Sequence, residues 1–458
     1  MRSTAALAVP LPRQTTARVA APRVPWGVPE LFVISQTAIP AVLYLPGTQP
    51  FRFYVRVASF VIALVILGWS MFAAHRRWHR HPANPWIITL VLYIAAMIFH
   101  PLSASKVAGM AQFAVYLSVI APFFWAPGFV RGPDHVARLI ALLLICNGAN
   151  AIVGVLQVYD PGRWMPAEMS RLVTESALGL GTVTYTGPRG ELIIRPPGLF
   201  DNPGAVAGPG MYAALLGLVF AISALSAWKR ISALAASFAG VAAIYLSQVR
   251  ISLVMTAVMF AAYVTVLFLQ NRRARATFFA TAAGALVVAT FAFALVLGGE
   301  SIAERTMSLF AQDPVSLYSS SRGGQLVYTF DELLQHYPLG AGLGRWGMIG
   351  AYFGGGGGPE SASLWAEIQV AAWAIDGGVV LLLLYVGILA FTLATEVRVA
   401  RYHPDPKVRA CAAVVLAANL GTTALIFSFT PFVTQIGLQF WFLAGAIHGI
   451  SGRPPRVA

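Results

Sequence analysis

The chain has 458 residues, of which 58% are hydrophobic and only 10% charged, with a formal net charge of +14. Ordinary soluble domains carry about 25% charged residues, and a soluble protein of this length could not hide so much apolar surface. A water-soluble enzyme is excluded. The basic excess, lodged between apolar runs, is the mark of membrane-flanking loops and gives no support to a nucleic-acid partner. Cys146 and Cys411 both lie inside apolar segments and read as small buried hydrophobes rather than a disulfide framework.

Residues 1–26 hold Arg2, Arg13, Arg18 and Arg23 without an acid and read as a disordered cytoplasmic tail. No apolar core follows Arg2 closely enough to make a signal peptide. Runs of about 18 or more apolar residues then recur, the signature of membrane-spanning helices. Twelve spans are expected, at about 27–46, 53–74, 86–100, 106–126, 135–158, 205–226, 230–246, 250–270, 276–298, 364–396, 408–429 and 432–450. The third is short and the tenth overlong. Residues 27–298 thus hold nine spans and a loop at 159–203, residues 299–363 form a large loop, residues 364–450 hold three spans, and 451–458 form a tail.

Charge sets the expected orientation. The short connections carry Arg76, Arg77 and Arg80, then Lys229 and Arg230, then Arg272, Arg273 and Arg275, then Arg398, Arg401, Lys407 and Arg409. Most acids, among them Asp160, Glu191, Asp201, Glu300, Glu304, Asp313, Asp331, Glu332 and Glu360, fall in the two long loops instead. The positive-inside rule then puts both termini in the cytoplasm and both long loops outside.

Arginines on the outward face stand against that trend. Arg195 lies in IIRPPGLFDNPG before the sixth span, Arg250 in LSQVRISL at the turn between the seventh and eighth, and Arg322 in SSSRGGQLVYTFDELL within the large loop. A guanidinium is always charged and its planar fork matches phosphate oxygens, so three of them from separate segments suggest a polyanion site. Each could instead pair with a nearby acid or a lipid headgroup; Arg250 has no neighbouring carboxylate in its short turn. Arg189 and Arg345 are weaker candidates. Pro196, Pro197 and Pro203 stiffen the entry to a helix for which Asn202 is placed as N-cap, and a helix N-terminus offers free N–H groups to an anion.

His336 precedes a glycine series through Gly340, Gly342 and Gly344 that permits close backbone approach to a ligand. Gly354–Gly358 could act as a hinge or lid. Groups available for proton transfer are Glu360, Glu367, His336, Asp331 and Asp376, with His336 before its Tyr-Pro turn reading as structural rather than as a base. Asp376, inside the tenth span, suits capping or helix pairing better than chemistry. No metal-ligand spacing and no nucleotide fingerprint is present.

At these residues the chain resembles the O-antigen ligase and polysaccharide polymerase family of bacterial envelopes. The likeness rests on R-x-x-G-x-F-x-N-P from Arg195 to Pro203, S-x-x-R at Ser247 and Arg250, the Arg322 to Gly344 segment with its P-L-G-x-G-x-G, and Asp376-Gly377. It covers residues 190–390. It implies a GT-C-like all-α polytopic membrane protein of about 12 transmembrane helices with its large periplasmic loop between spans 9 and 10. The implied activity is metal-independent transfer of a glycan from an undecaprenyl diphosphate carrier to a sugar hydroxyl, on the outer side of the bacterial inner membrane and without a cofactor. Arg195, Arg250 and Arg322 would hold the pyrophosphate, with Glu360 or Glu367 as base and Asn202, His336, Gly342, Gly344 and Asp376 in support. Partners would be the lipid-linked oligosaccharide, a glycan acceptor, membrane lipids and a chain-length regulator. Ligases show a His-Asn or similar His pair entering the span after the loop; here the text is PESASLWAE, without histidine, which favours a polymerase or another divergent transferase over a ligase acting on lipid A-core. A transporter is the rival reading, since twelve spans is also a transporter count, although no repeat relates the two halves. A non-catalytic scaffold would leave the outer arginines without a ligand.

Overall fold

In a computed structural model, residues 25–72, 79–103, 105–169, 183–311, 313, 316, 318–354 and 364–452 are described. Both expected tails fall almost wholly outside them, and so do Glu360 and most of the Gly354–Gly358 run.

Each of the twelve apolar segments holds a helix. In chain order they are α1 (Val28–Ala41), α2 (Arg52–Phe72), α3 (Asn84–Met97), α4 (Lys106–Phe129), α5 (Pro133–Tyr159), α6 (Ala207–Ala221), α7 (Ala227–Ser247), α8 (Arg250–Leu269) and α9 (Arg273–Gly298). An additional amphipathic helix, α10 (Glu300–Ala311), opens the large loop, and α11 (Gln369–Tyr402), α12 (Pro406–Ala424) and α13 (Gln435–Ser451) complete the bundle. Among the described residues eight helices are long and apolar enough to cross a membrane: α2, α4, α5, α7, α8, α9, α11 and α12 with its extension to Phe427. The expectation of twelve crossings is therefore carried by eight helices on length and composition. The remainder are shorter, and α6 and α13 are buried along most of their length.

The outer surface of the bundle explains the solvent it needs. Val65, Phe72, Leu92, Val288, Val296 and Leu383 stand exposed on helix flanks. In water such a surface would drive association; in hydrocarbon it costs nothing, because the backbone polar groups are satisfied within the helices. The chain is a membrane-embedded all-α protein with almost no sheet.

Small residues set the closest helix contact. Gly210 on α6 faces Gly240 on α7 so tightly that a methyl group on either would fall within 2.8 Å of the other's carbonyl oxygen. Packing of this kind replaces the hydrophobic drive that lipid removes.

The overlong tenth span is not one helix. Inside α11, Gly377 and Gly378 leave the helical region, with φ of −161° and +59°. The freed groups are taken up by the loop at 338–344: Val379 N–H donates to the Pro338 carbonyl at 2.9 Å and Ala341 N–H to the Ile375 carbonyl at 2.7 Å. The Tyr93 hydroxyl of α3 donates to the Gly377 carbonyl at 2.8 Å. Irregular backbone inside a bundle persists only where protein satisfies it in this way. The start of the helix also differs from the expected 364, because residues 364–368 run as a non-helical strap. Gln325 holds this strap, its Oε1 accepting from the Glu367 and Ile368 N–H groups at 2.9 and 3.1 Å and its Nε2 donating to the Trp365 carbonyl.

Basic connections and long loops occupy opposite ends of the bundle. At one end Lys407 pairs with Asp134, and Arg138 and His135 both reach the buried Glu30. At the other end a two-stranded hairpin, Thr184–Thr186 paired with Leu192–Ile194, docks on α10 through Ser301, whose hydroxyl donates to the Thr186 carbonyl at 2.8 Å.

Candidate anion site at the loop-bearing end

Arg195 follows the second hairpin strand directly. Its N–H donates to the Val183 carbonyl and its carbonyl accepts from Gly204 N–H, so residues 195–204 close into a hairpin of their own. A Cβ at Gly204 would lie 3.3 Å from the Val249 side chain, so the hairpin rests against the turn that leads into α8. Arg250 is the first residue of α8, and its Nη1 donates to the Ser308 hydroxyl of α10 at 2.7 Å. One turn earlier on α10 stands Arg305. Three elements thus bring Arg195, Arg250 and Arg305 together.

Their electrostatics suit a negatively charged ligand. Burial lowers the pKa of Arg195; the Tyr185 hydroxyl opposes that and the Arg250 guanidinium adds to it. Arg305 is lowered by burial first, then by Arg250 and by Arg195. Among the described residues no carboxylate forms an ion pair with any of the three. The Nε atoms of Arg195 and Arg305 and the Tyr185 hydroxyl are buried without a hydrogen-bond partner. Clustered like charges, part-buried and unmatched, are costly unless an anion completes them.

Arg322, expected as the third member, has a carboxylate partner of its own. It lies in a helical run over 319–336, wound wider than an α-helix at Ser319–Gly323 and Thr329–Leu333. There it forms an ion pair with Glu367, and burial alone lowers its pKa. One expected phosphate ligand and one expected base therefore neutralise each other. Glu360, the other expected base, lies outside the described residues.

Asn202, Gly342 and Gly344 take different roles from those anticipated, while Asp376 pairs helices. Asn202 is not an N-cap: α6 begins at Ala207 behind Val206, and the Asn202 Oδ1 instead accepts from Arg56 Nη2 at 3.2 Å. The glycine series does approach something closely, but that something is protein. A Cβ at Gly342 would fall 2.6 Å from the Ser103 N atom, and one at Gly344 would fall 2.6 Å from Ala108 Cβ. Asp376 is fully buried; Tyr116 Oη and Trp346 Nε1 donate to its Oδ2 at 2.6 and 2.9 Å, tying the glycine loop and α4 to α11. His336 ends the helical run with its ring at the Glu332 carbonyl, exposed and outside the arginine cluster. Arg189 lies on the exposed hairpin turn, whereas Arg345 is buried beneath the loop beside Tyr337.

A second charged group was missed by sequence reasoning. Asp201, only 2% exposed, receives Arg52 Nε at 2.6 Å and Arg56 Nη2 at 2.8 Å, both from the first turns of α2. This knot fixes the far end of the 195–204 hairpin. Arg305 was also missed. Its signal was available: Ile302, Arg305 and Leu309 share one helical face, and Ile302 is buried. Among the described residues no group of three or more His, Cys, Asp or Glu side chains could hold a metal ion. No protein-family model matches the chain, and no curated protein is detectably similar to it.

Proposed function

We propose that this chain is a glycosyltransferase of the bacterial inner membrane that moves a glycan from an undecaprenyl diphosphate carrier to a sugar hydroxyl at the periplasmic face, polymerising surface polysaccharide. The observation that carries the reading is the Arg195, Arg250 and Arg305 cluster, which holds three guanidinium groups and no carboxylate among the described residues. In the reaction the acceptor oxygen attacks the anomeric carbon and the bond from that carbon to the diphosphate oxygen breaks. The electron pair leaves with the diphosphate, so negative charge grows where the three arginines converge, and preorganised cations stabilise such a leaving group. The acceptor proton passes to a carboxylate on the same face, for which Glu367, with its side chain 33% exposed, is the described candidate. The test is turnover of lipid-linked oligosaccharide by purified protein in detergent. Loss of one preorganised donor costs about 2.7–4 kcal/mol, so Arg250→Ala should slow turnover roughly 100- to 1,000-fold. Wild-type turnover in that variant would falsify the assignment.

Transfer to lipid A-core uses the same donor chemistry and differs only in the acceptor. A transporter reading finds one specific support in Glu396, buried within α11, whose Oε1 accepts from Asn419 Nδ2 at 2.6 Å while Oε2 has no partner among the described residues. Ionisable residues inside a membrane often mark transport pathways. Turnover in detergent, where no gradient exists, separates the two.

A further inference from the structure

The 195–204 hairpin has two ends, and only one carries the anion cluster. At the other, Asp201 and Asn202 meet Arg56 of α2, which also reaches the short helix Gly347–Phe353 of the large loop. Arg56 links the two elements, its Nη2 on the Asp201 and Asn202 oxygens and its Nη1 3.7 Å from the Met348 sulfur. Beside this polar floor stands a group of aromatic rings. Phe53 packs edge-on against Tyr352 at 5.4 Å and Phe353 at 5.7 Å, and Tyr352 remains 46% exposed. Asn202 is exposed too, and its Nδ2 donors make no bond within the described residues.

We propose that this ledge is the acceptor subsite, where a sugar ring of the incoming glycan lies on Tyr352 and its hydroxyls bond to Asn202 and Arg56. The proposal rests on the transferase reading. An exposed aromatic face beside planar polar side chains is the chemistry that recognises a carbohydrate: the ring covers the C–H face of the sugar while amide and guanidinium groups meet its hydroxyls. Its position fits the reaction, because the same short segment carries both Asn202 of the ledge and Arg195 of the anion cluster. Rigidity fits as well. The buried Asp201 fixes the hairpin to α2, so the two subsites keep a constant separation, as a transfer between two bound substrates requires. An aromatic residue that merely anchors the bundle at the lipid interface would need no neighbouring Asn or Arg.

The test uses the full chain in detergent with two probes, inorganic pyrophosphate and an oligosaccharide released by mild acid from lipid-linked repeat units. Calorimetric titration should show Tyr352→Leu and Asn202→Ala each weakening the oligosaccharide about tenfold while pyrophosphate affinity stays at the wild-type value. Leucine keeps the site apolar, so loss there reports stacking rather than membrane anchoring. If both variants bind the oligosaccharide as tightly as wild type, or wild type binds pyrophosphate but no oligosaccharide, the ledge is not the acceptor subsite. Wild-type protein that ignores pyrophosphate would instead overturn the transferase reading beneath it.

Discussion

Two groups of arginines stand at the ends of one short hairpin, and the protein treats them oppositely. Arg52 and Arg56 share Asp201, a carboxylate buried to 2% exposure, at 2.6 and 2.8 Å. Among the described residues, Arg195, Arg250 and Arg305 find no carboxylate, only one another, the Ser308 hydroxyl and the nearby Tyr185 hydroxyl. Residue type and burial are similar in the two groups. What separates them is whether the described residues supply the counter-charge. The first group is closed, a knot that fixes loop to helix. The second is open: among the described residues nothing supplies its counter-charge. Function is more visible in that asymmetry than in any single motif.

The comparison can be broken most readily at its closed end. Removing one partner of a buried pair leaves uncompensated charge and costs about 3–5 kcal/mol. Asp201→Ala should therefore lower the thermal unfolding midpoint sharply, whereas Arg250→Ala should leave it near the wild-type value and strike turnover alone. Equal destabilisation by both variants would show that the two groups are not different in kind.

A smaller effect sharpens the open end. Like charges repel, so Arg305→Gln should raise the midpoint in the absence of any anion by roughly 1 kcal/mol of stability. Pyrophosphate should then stabilise wild type by about 2.7 kcal/mol at a hundredfold excess over its dissociation constant, and the Arg305→Gln variant by less. Pyrophosphate shifts of the same size in both proteins would remove Arg305 from the site. Stabilisation of this kind needs no knowledge of the true glycan, which makes it a direct reading of the cluster.

How much of this was legible in the sequence follows from what each signal measures. Apolar runs report burial in lipid or protein, and they located every helix of the bundle. Length is a poorer signal, because interior helices such as α6 need not match the bilayer. The break in α11 was written as Gly377-Gly378, but what permits it is the Pro338 carbonyl, close to forty residues away in the chain, and a contact of that kind leaves no local trace. Gly342 and Gly344 announced close approach without saying to what; the answer was Ser103 and Ala108. Arg195 and Arg250 stood out because they defied the charge bias of their surroundings. Arg305 did not, since Glu300 and Glu304 beside it made the segment look like ordinary solvated text, and only helical spacing turns it inward. Arg322 shows a different limit: its partner Glu367 lies more than forty residues further on, and no local pattern in the Arg322 segment points to it.

The Arg322–Glu367 pair gives the smallest effect and the finest discrimination. Its side chains are 40% and 33% exposed, and ion pairs open to solvent contribute about 0.2–1 kcal/mol. Arg322→Gln should thus change stability by less than about 1 kcal/mol. If Arg322 acts only as the partner of Glu367, then Arg322→Gln and Glu367→Gln should couple in a double-variant cycle, the pair together costing turnover little more than Glu367→Gln alone. If Arg322 touches the diphosphate, its loss should instead add in full to that of Glu367 and should weaken pyrophosphate binding as Arg250→Ala does. The first outcome keeps the anion site to the open cluster; the second would extend it across the large loop to the start of α11.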